Sequence, residues 1–415
     1  MALLLSGVPR QDRLILTFWS VVGVALRLAL AYSLYTYAYS NNDGFSQGGD
    51  EFFYYERGMR LADGWGSGSV GLSPFEIHST VGSGAWGFIC FVAGHLLLFS
   101  NKLFPVISIS FLDVFSAILA YRFCLDNFES AKIGKLAFLF SIFFSHAIDV
   151  SAHLLKDSLV LFLTMATLTL AHGASRSAWA RLCVVLTVFA LASVRFYVGL
   201  VLLGLVAVGH LAASNVKIGT RLAAVLAAAT SLYMVYSFTS VGTTLEVALE
   251  DPSQAVESYG RESRATAAER THQSSHLFAG TSLKDRILGL AHFLVSPSPL
   301  NVESLGGQIA APGTLLWYFL MPFFFWGAWL FIRRSDLRRE YLVLWAYPAC
   351  IISLILFMPS INQSRHRLMI WPCAVILASV GLTQKSPTRY MVVVGTWLVI
   401  VATIIVRESW RDAGY

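Results

Sequence analysis

Apolar residues run in long blocks along this chain, separated by short polar turns and by two longer polar stretches. The first block spans about Leu14 to Tyr39. A polar stretch at 40–83 follows, then blocks at about 84–101, 103–121, 133–150, 154–172, 178–194, 196–212 and 219–241. A second polar stretch, 242–310, precedes blocks at about 311–332, 340–359, 368–383 and 390–406. Blocks of roughly 17–25 apolar residues have the length of a bilayer-crossing helix. The pattern therefore predicts an all-α, polytopic membrane protein with one transmembrane domain over 1–415. Within it lie a first outer loop at 40–83, a large outer loop at 242–310 and C-terminal helices at 311–415.

A helical period shows inside the first polar stretch. Asp50, Tyr54, Gly58 and Leu61 recur at i, i+4, i+8 and i+11, one face of a helix. Asp50 is placed to cap this helix and Gly64 to stop it. Its mix of aromatic and charged side chains predicts a helix lying in the membrane interface.

Composition agrees with the pattern. A mean hydropathy of +0.63 and 56% apolar residues fit an integral membrane protein. With only 13% charged residues, each carboxylate near an apolar surface calls for a reason. The net charge of +6 comes from basic residues spread over loops, with no nucleic-acid module. Cys90, Cys124, Cys183, Cys350 and Cys373 have no metal-type spacing and read as small core hydrophobes. The first block has no clear cleavage site and is expected to stay as a signal anchor.

The charges orient the blocks. Arg333, Arg334, Arg338 and Arg339 crowd a short loop and mark the cytoplasmic side. Arg10 and Arg13 put the N-terminus on that side too, so 40–83 and 242–310 are both expected outside. Lys132 and Lys135, then Arg176 and Arg181, then Lys217 and Arg221 read as cytoplasmic. An even number of blocks must cross between the two outer stretches, and there is one too many. The odd one is 84–101, with Gly87, Gly94 and His95, which is read as re-entrant or interfacial. About 11 crossings result.

Candidate chemistry gathers on the outer face. Asp50-Glu51 offers a general base or metal ligands, against the plain alternatives of a helix cap or a solvated loop. Arg195 interrupts the apolar stretch 178–212, which is too long for one crossing, and so marks the tip of a helix pair. A charge there points to a site, or to a side chain that snorkels to lipid headgroups. Arg365-His366-Arg367 lies between two apolar blocks. Its arginines offer planar donors suited to phosphate, with non-specific headgroup contact as the alternative. Asp43, Asp50 and Glu51 carry the hard oxygens that a divalent cation takes, but no metal site is assigned. His78, His146, His153, His272, His276 and His292 are scattered without ligand spacing. No phosphate-binding glycine loop is present, so a reaction here would draw on an activated substrate or a gradient.

Taken together, these residues resemble the GT-C superfamily of polyprenyl-phosphate-dependent membrane glycosyltransferases, in particular bacterial members related to protein mannosyltransferases and aminoarabinose transferases. The resemblance lies in the acidic residue of the first outer loop, with its D-x3-Y-x3-small-x2-L pattern at Asp50, Tyr54, Gly58 and Leu61. It extends to Arg195 at a mid-chain helix tip and to Arg365, Arg367 and Pro372 before a late helix. No large C-terminal soluble domain of the oligosaccharyltransferase kind is expected.

The resemblance implies sugar transfer, with inversion, from a polyprenyl-phosphate donor to a glycan or lipid-linked acceptor at the outer face of a bacterial inner membrane. Asp50 and Glu51 would be catalytic. Tyr54, Arg195, Arg365, His366 and Arg367 would bind substrate. An O-antigen polymerase or ligase using a diphosphate-linked oligosaccharide is the near alternative. A lipid-linked sugar flippase is the alternative from another class.

Overall fold

The computed structural model describes residues 5, 7–41, 49–81, 85–173, 178–212, 290, 293–294, 305–334, 341–357, 366–384 and 387–412. Every element among the described residues is a helix. In chain order they are α1 (Arg10–Asn41), α2 (Gly49–Ser67), α3 (Pro74–Val81), α4 (Trp86–Leu98), α5 (Leu103–Phe128), α6 (Ala131–Ile142) and α7 (Ser145–Ser151). They continue with α8 (Asp157–Gly173), α9 (Ala178–Val194), α10 (Phe196–Ala212), α11 (Leu305–Arg333), α12 (Leu342–Phe357), α13 (Arg367–Thr383) and α14 (Pro387–Asp412). The apolar block 219–241, Arg365, Asp43 and nearly all of 242–310 lie outside the described residues.

Among the described residues, three helical stretches are long and apolar enough to cross a membrane: Arg10–Tyr37, Leu103–Phe128 and Ala311–Arg333. Counting each of two bent pairs as one span raises the number to 5. The expected eleven crossings also counted shorter helices such as α8, α9, α10 and α13, each of 17 residues. At 1.5 Å per residue such a helix is about 25 Å long, the low end of the range that crosses a ~30 Å hydrocarbon core. Large apolar side chains face outward on α1 (Leu14, Phe18, Val21), α11 (Leu315, Phe319) and α14 (Val394, Leu398). Such faces suit hydrocarbon better than water.

The centre of the bundle is α13. Every residue from Arg367 to Gly381 is buried. A helix apolar all round has no polar stripe to turn outward, so it sits inside, here against α5, α6, α8, α11 and α12. Gly327 of α11 and Gly381 of α13 let these two backbones touch: a Cβ on Gly327 would meet the Leu377 carbonyl, and one on Gly381 the Phe323 carbonyl. Small residues at such crossings are how apolar helices pack without a hydrophobic driving force from water.

One bent pair corrects an expectation, and the other bears on the odd block. The block 133–150 is α6 and α7, set at 51° to each other. At the break Phe144 is extended (φ −70°, ψ 105°), and its ring stacks on Trp371 of α13, with centroids 3.6 Å apart. The block 84–101 supplies α4, set at 89° to α3. Phe88, Ile89, Val92, Ala93 and Leu96 of α4 are buried, and it packs against α2, α3, α5 and α9. One face of this short helix is thus buried in protein, while Leu97 and Leu98 at its end are exposed.

Polar contacts define two ends. At one, Asp12 of α1 accepts from the Tyr121 hydroxyl of α5 at 2.9 Å and pairs with Lys135 of α6 at 2.6 Å. Tyr341, just before α12, donates to the Asn127 carbonyl of α5 at 2.9 Å. The neighbourhoods of Arg10, Lys135 and Tyr341 therefore share this end. At the other lie the start of α2, the α4–α5 turn, the α7–α8 turn, the α9–α10 tip and the start of α13. Between the two ends Arg27 of α1 is wholly buried. It donates through Nε to Asp113 of α5 at 2.7 Å, and through Nη1 to the carbonyls of Gly23 and Ile142 at 3.0 and 3.1 Å.

Candidate functional site

The site is built on short connections at the second end. Asp50 and Glu51 occupy the first turn of α2, where the helix dipole favours carboxylates. The helix starts at Gly49, so Asp50 lies inside the first turn instead of capping it. It also runs through Gly64 to Ser67, and the chain reverses at Gly68 (φ +72°). The Gly64 carbonyl accepts from the amides of Ser69 and Val70 as the chain folds back.

The periodic face Tyr54, Gly58 and Leu61 packs on α4. The Tyr54 ring meets Phe88 edge-on, with centroids 4.9 Å apart, and a Cβ on Gly58 would come within 2.6 Å of Val92. The motif face of α2 is thus a packing face. It holds the helix in place and leaves its first turn to meet the rest of the site.

The two acids have different surroundings. Asp50 is half-buried, whereas Glu51 is buried and engaged. One oxygen of Glu51 accepts from the backbone amide of Leu154 at 2.9 Å and from Nδ1 of His153 at 3.2 Å. Nε2 of His153 faces Asp149 of α7 at 3.5 Å. Burial alone would depress the His153 pKa. The carboxylates of Asp149 and Glu51 outweigh it and raise the group to about 9.

Two lysines lie at this end of the bundle. Lys102, just before α5, has its Nζ 4.8 Å from the centre of the Tyr35 ring. Burial lowers its pKa, and the charge of Glu51 partly opposes that shift. Lys156 lies 5.7 Å from the Tyr54 ring. Contacts of this kind between ammonium and ring are attractive.

Arg195 sits at the tip between α9 and α10, as expected. Its amide closes α9 on the Leu191 carbonyl at 2.7 Å, and its own carbonyl accepts from Val198 and Gly199 to open α10. The turn is tight because Gly199 lacks a side chain; a Cβ there would lie 2.6 Å from the Ala192 backbone. The guanidinium is buried and donates to Asp157, the first residue of α8, at 2.8 Å. It also lies 5.8 Å from the Tyr197 ring, and the Tyr197 hydroxyl reaches Met369 of α13 at 3.3 Å.

His366 and Arg367 are both buried at the start of α13. The Arg367 guanidinium is 5.9 Å from the Trp317 ring of α11. Nearby, His146 of α7 is 3.1 Å from the Thr314 hydroxyl, and the Gly313 amide donates to Ser145 at 2.6 Å.

These contacts join the sequence-derived residues through one short turn. The amide that holds Glu51 belongs to Leu154, and the carboxylate that holds Arg195 belongs to Asp157. Three residues span at most roughly 10 Å, so the acidic start of α2 and the arginine tip belong to one end of the bundle. Arg195 then leads through Tyr197 and Met369 to the start of α13.

Sequence reasoning named His153 only among scattered histidines and passed over Asp149, Lys102 and the Arg27–Asp113 pair. Arg27 and Asp113 had a signal, since each is a charge inside an apolar block. His153 had none, because its partner Glu51 is 102 residues away. Among the described residues, no group of three His, Cys, Asp or Glu side chains is arranged to hold a metal ion. No protein-family model matches the chain, and no curated protein matches it either.

Proposed function

We propose that this chain is a GT-C-type membrane glycosyltransferase with about 11 crossings, moving a sugar from a polyprenyl-phosphate donor to an acceptor hydroxyl on a glycan or lipid. On this reading it resides in a bacterial inner membrane, and the end carrying α2 faces outward. The observation that carries it is the gathering of the acidic start of α2 and the Arg195 and Arg367 cations at one end of an apolar helix bundle. Arg10, Arg13 and Lys135 at the opposite end suit the cytoplasmic side.

In the reaction, Asp50 accepts the proton of the acceptor hydroxyl as its oxygen attacks the anomeric carbon. The bond from that carbon to the phosphate oxygen breaks, and its electron pair leaves with the phosphate. One displacement inverts the anomeric centre. Glu51 is engaged with His153 and Leu154, which suits a supporting part better than proton transfer. Arg195 and Arg367, together with His366 and Arg365, meet the charge that grows on the phosphate. The amides and dipole at the start of α13 favour the same anion.

The test is turnover by the full-length protein in lipid nanodiscs. Synthetic polyprenyl-monophosphate sugars and diphosphate-linked oligosaccharides are supplied separately. Transfer from the monophosphate donor, lost in Asp50→Asn, supports the reading. Wild-type turnover by Asp50→Asn removes the base. Transfer from the diphosphate donor alone makes the protein a polymerase or ligase. In proteoliposomes, movement of the donor across the bilayer without a covalent product makes it a transporter.

A further inference from the structure

His153 is placed unlike an ordinary core histidine. It is buried, it lies in the turn between α7 and α8, and each ring nitrogen faces a different carboxylate: Glu51 from α2 at 3.2 Å and Asp149 from α7 at 3.5 Å. A neutral imidazole carries one N–H and can donate to only one of them; the protonated ring donates to both. The adjacent amide of Leu154 donates to the same Glu51 oxygen. The first turn of α2 is therefore tied to the α7–α8 turn by two hydrogen bonds to Glu51, and that turn is tied back to α7 through Asp149. The α7–α8 turn is itself anchored in the bundle, since the Ser151 carbonyl accepts from Ser110 of α5 at 3.0 Å and Asp157 pairs with Arg195. Asp50 precedes Glu51 in the chain, so whatever fixes Glu51 fixes the position of Asp50 as well. Charges close to this link are Lys102 from the α4–α5 turn and Lys156 from the α7–α8 turn.

We propose that His153 is a positioning residue. Bridging Glu51 and Asp149, it locks the start of α2 onto the α7–α8 turn and so sets where the Asp50 carboxylate meets the acceptor hydroxyl. This rests on the reading of Asp50 as the base.

The experiment compares His153→Phe, which keeps a ring but no donor, with His153→Lys, which restores a cation able to donate to both carboxylates. Both are made in the full-length protein in nanodiscs and assayed with the polyprenyl-monophosphate sugar that turns over. His153→Phe should lower kcat by on the order of 100-fold, the cost of displacing a reacting group by about 1 Å, with donor KM within about two-fold. His153→Lys should recover much of that loss. A phenylalanine variant with wild-type kcat overturns the proposal, as does a lysine variant no better than phenylalanine.

Thermal unfolding supplies an arm that needs no activity. Glu51→Gln and His153→Phe combined should shift Tm by less than the sum of the two single shifts, because part of each loss is the same link. Additive shifts overturn the bridge. An inactive Asp50→Asn beside a fully active His153→Phe rejects the clamp and leaves the base reading standing. An active Asp50→Asn rejects the base reading, and the positioning role with it.

Discussion

At the residue scale, charges removed from water must be matched, and the matching assigns their parts. Arg195 and Asp157 are both buried and lie 2.8 Å apart. Replacing one alone, as in Asp157→Asn, leaves a buried guanidinium without its counter-charge, at a cost of about 3–5 kcal/mol. Arg195→Met with Asp157→Leu should cost far less, and thermal unfolding of the purified variants checks both. His153 gives a pH dependence with a definite sign. Its pKa is about 9, above the ordinary 6.5, so the stability it contributes is complete below about 6.5 and is lost as the pH rises toward and through about 9. The Tm of the wild type should therefore fall across that window more than the Tm of His153→Phe; parallel curves would rule this out. The acidic pair at 50–51 stood out in the sequence because carboxylates are scarce in so apolar a chain. Its division into a half-buried Asp50 and an anchored Glu51 was hidden, because it depends on a histidine brought up from 102 residues away.

At the element scale, helices were legible wherever apolar length alone decides them. The hairpin at Arg195 follows the expected limits: α9 ends at Val194 and α10 begins at Phe196. The apolar stretch 178–212 is too long for one crossing, so the charge that interrupts it marks the turn. The break between α6 and α7 was not legible. Nothing in Ser141–Phe144 is a helix breaker by type, and it is the stacking of Phe144 on Trp371 that rewards the extended residue. The D-x3-Y-x3-small-x2-L pattern was read through resemblance, and its physical content proves to be packing on α4. Gly58→Leu should drive α2 off Val92, and Gly327→Leu should separate α11 from α13. Overpacking costs typically ~1–3 kcal/mol and more where backbone is struck, so Gly327→Leu should show the larger loss of Tm in detergent.

At the scale of the whole molecule, Arg27 and Asp113 join α1 to α5 across 86 residues of chain. Arg27→Leu or Asp113→Leu alone should impair folding, while the double replacement should yield stable protein, as buried ion pairs elsewhere are replaced by apolar side chains. Expression and monodispersity in detergent read this out. Orientation is testable on intact cells. Cysteines introduced as Asn42→Cys and Asp336→Cys should react with a membrane-impermeant maleimide from opposite sides, with Asn42→Cys labelled from outside. By itself the sequence determined that this chain is a bundle of apolar helices, where most of them begin and end, and which charged residues need an explanation. Burial of apolar length and the cost of dehydrating charge are local properties, readable one segment at a time. Only the tertiary structure decided which charge meets which: Glu51 with His153, Asp157 with Arg195, Arg27 with Asp113. Each pairing joins segments far apart in the chain, and its energy exists only once packing has excluded water from both partners together.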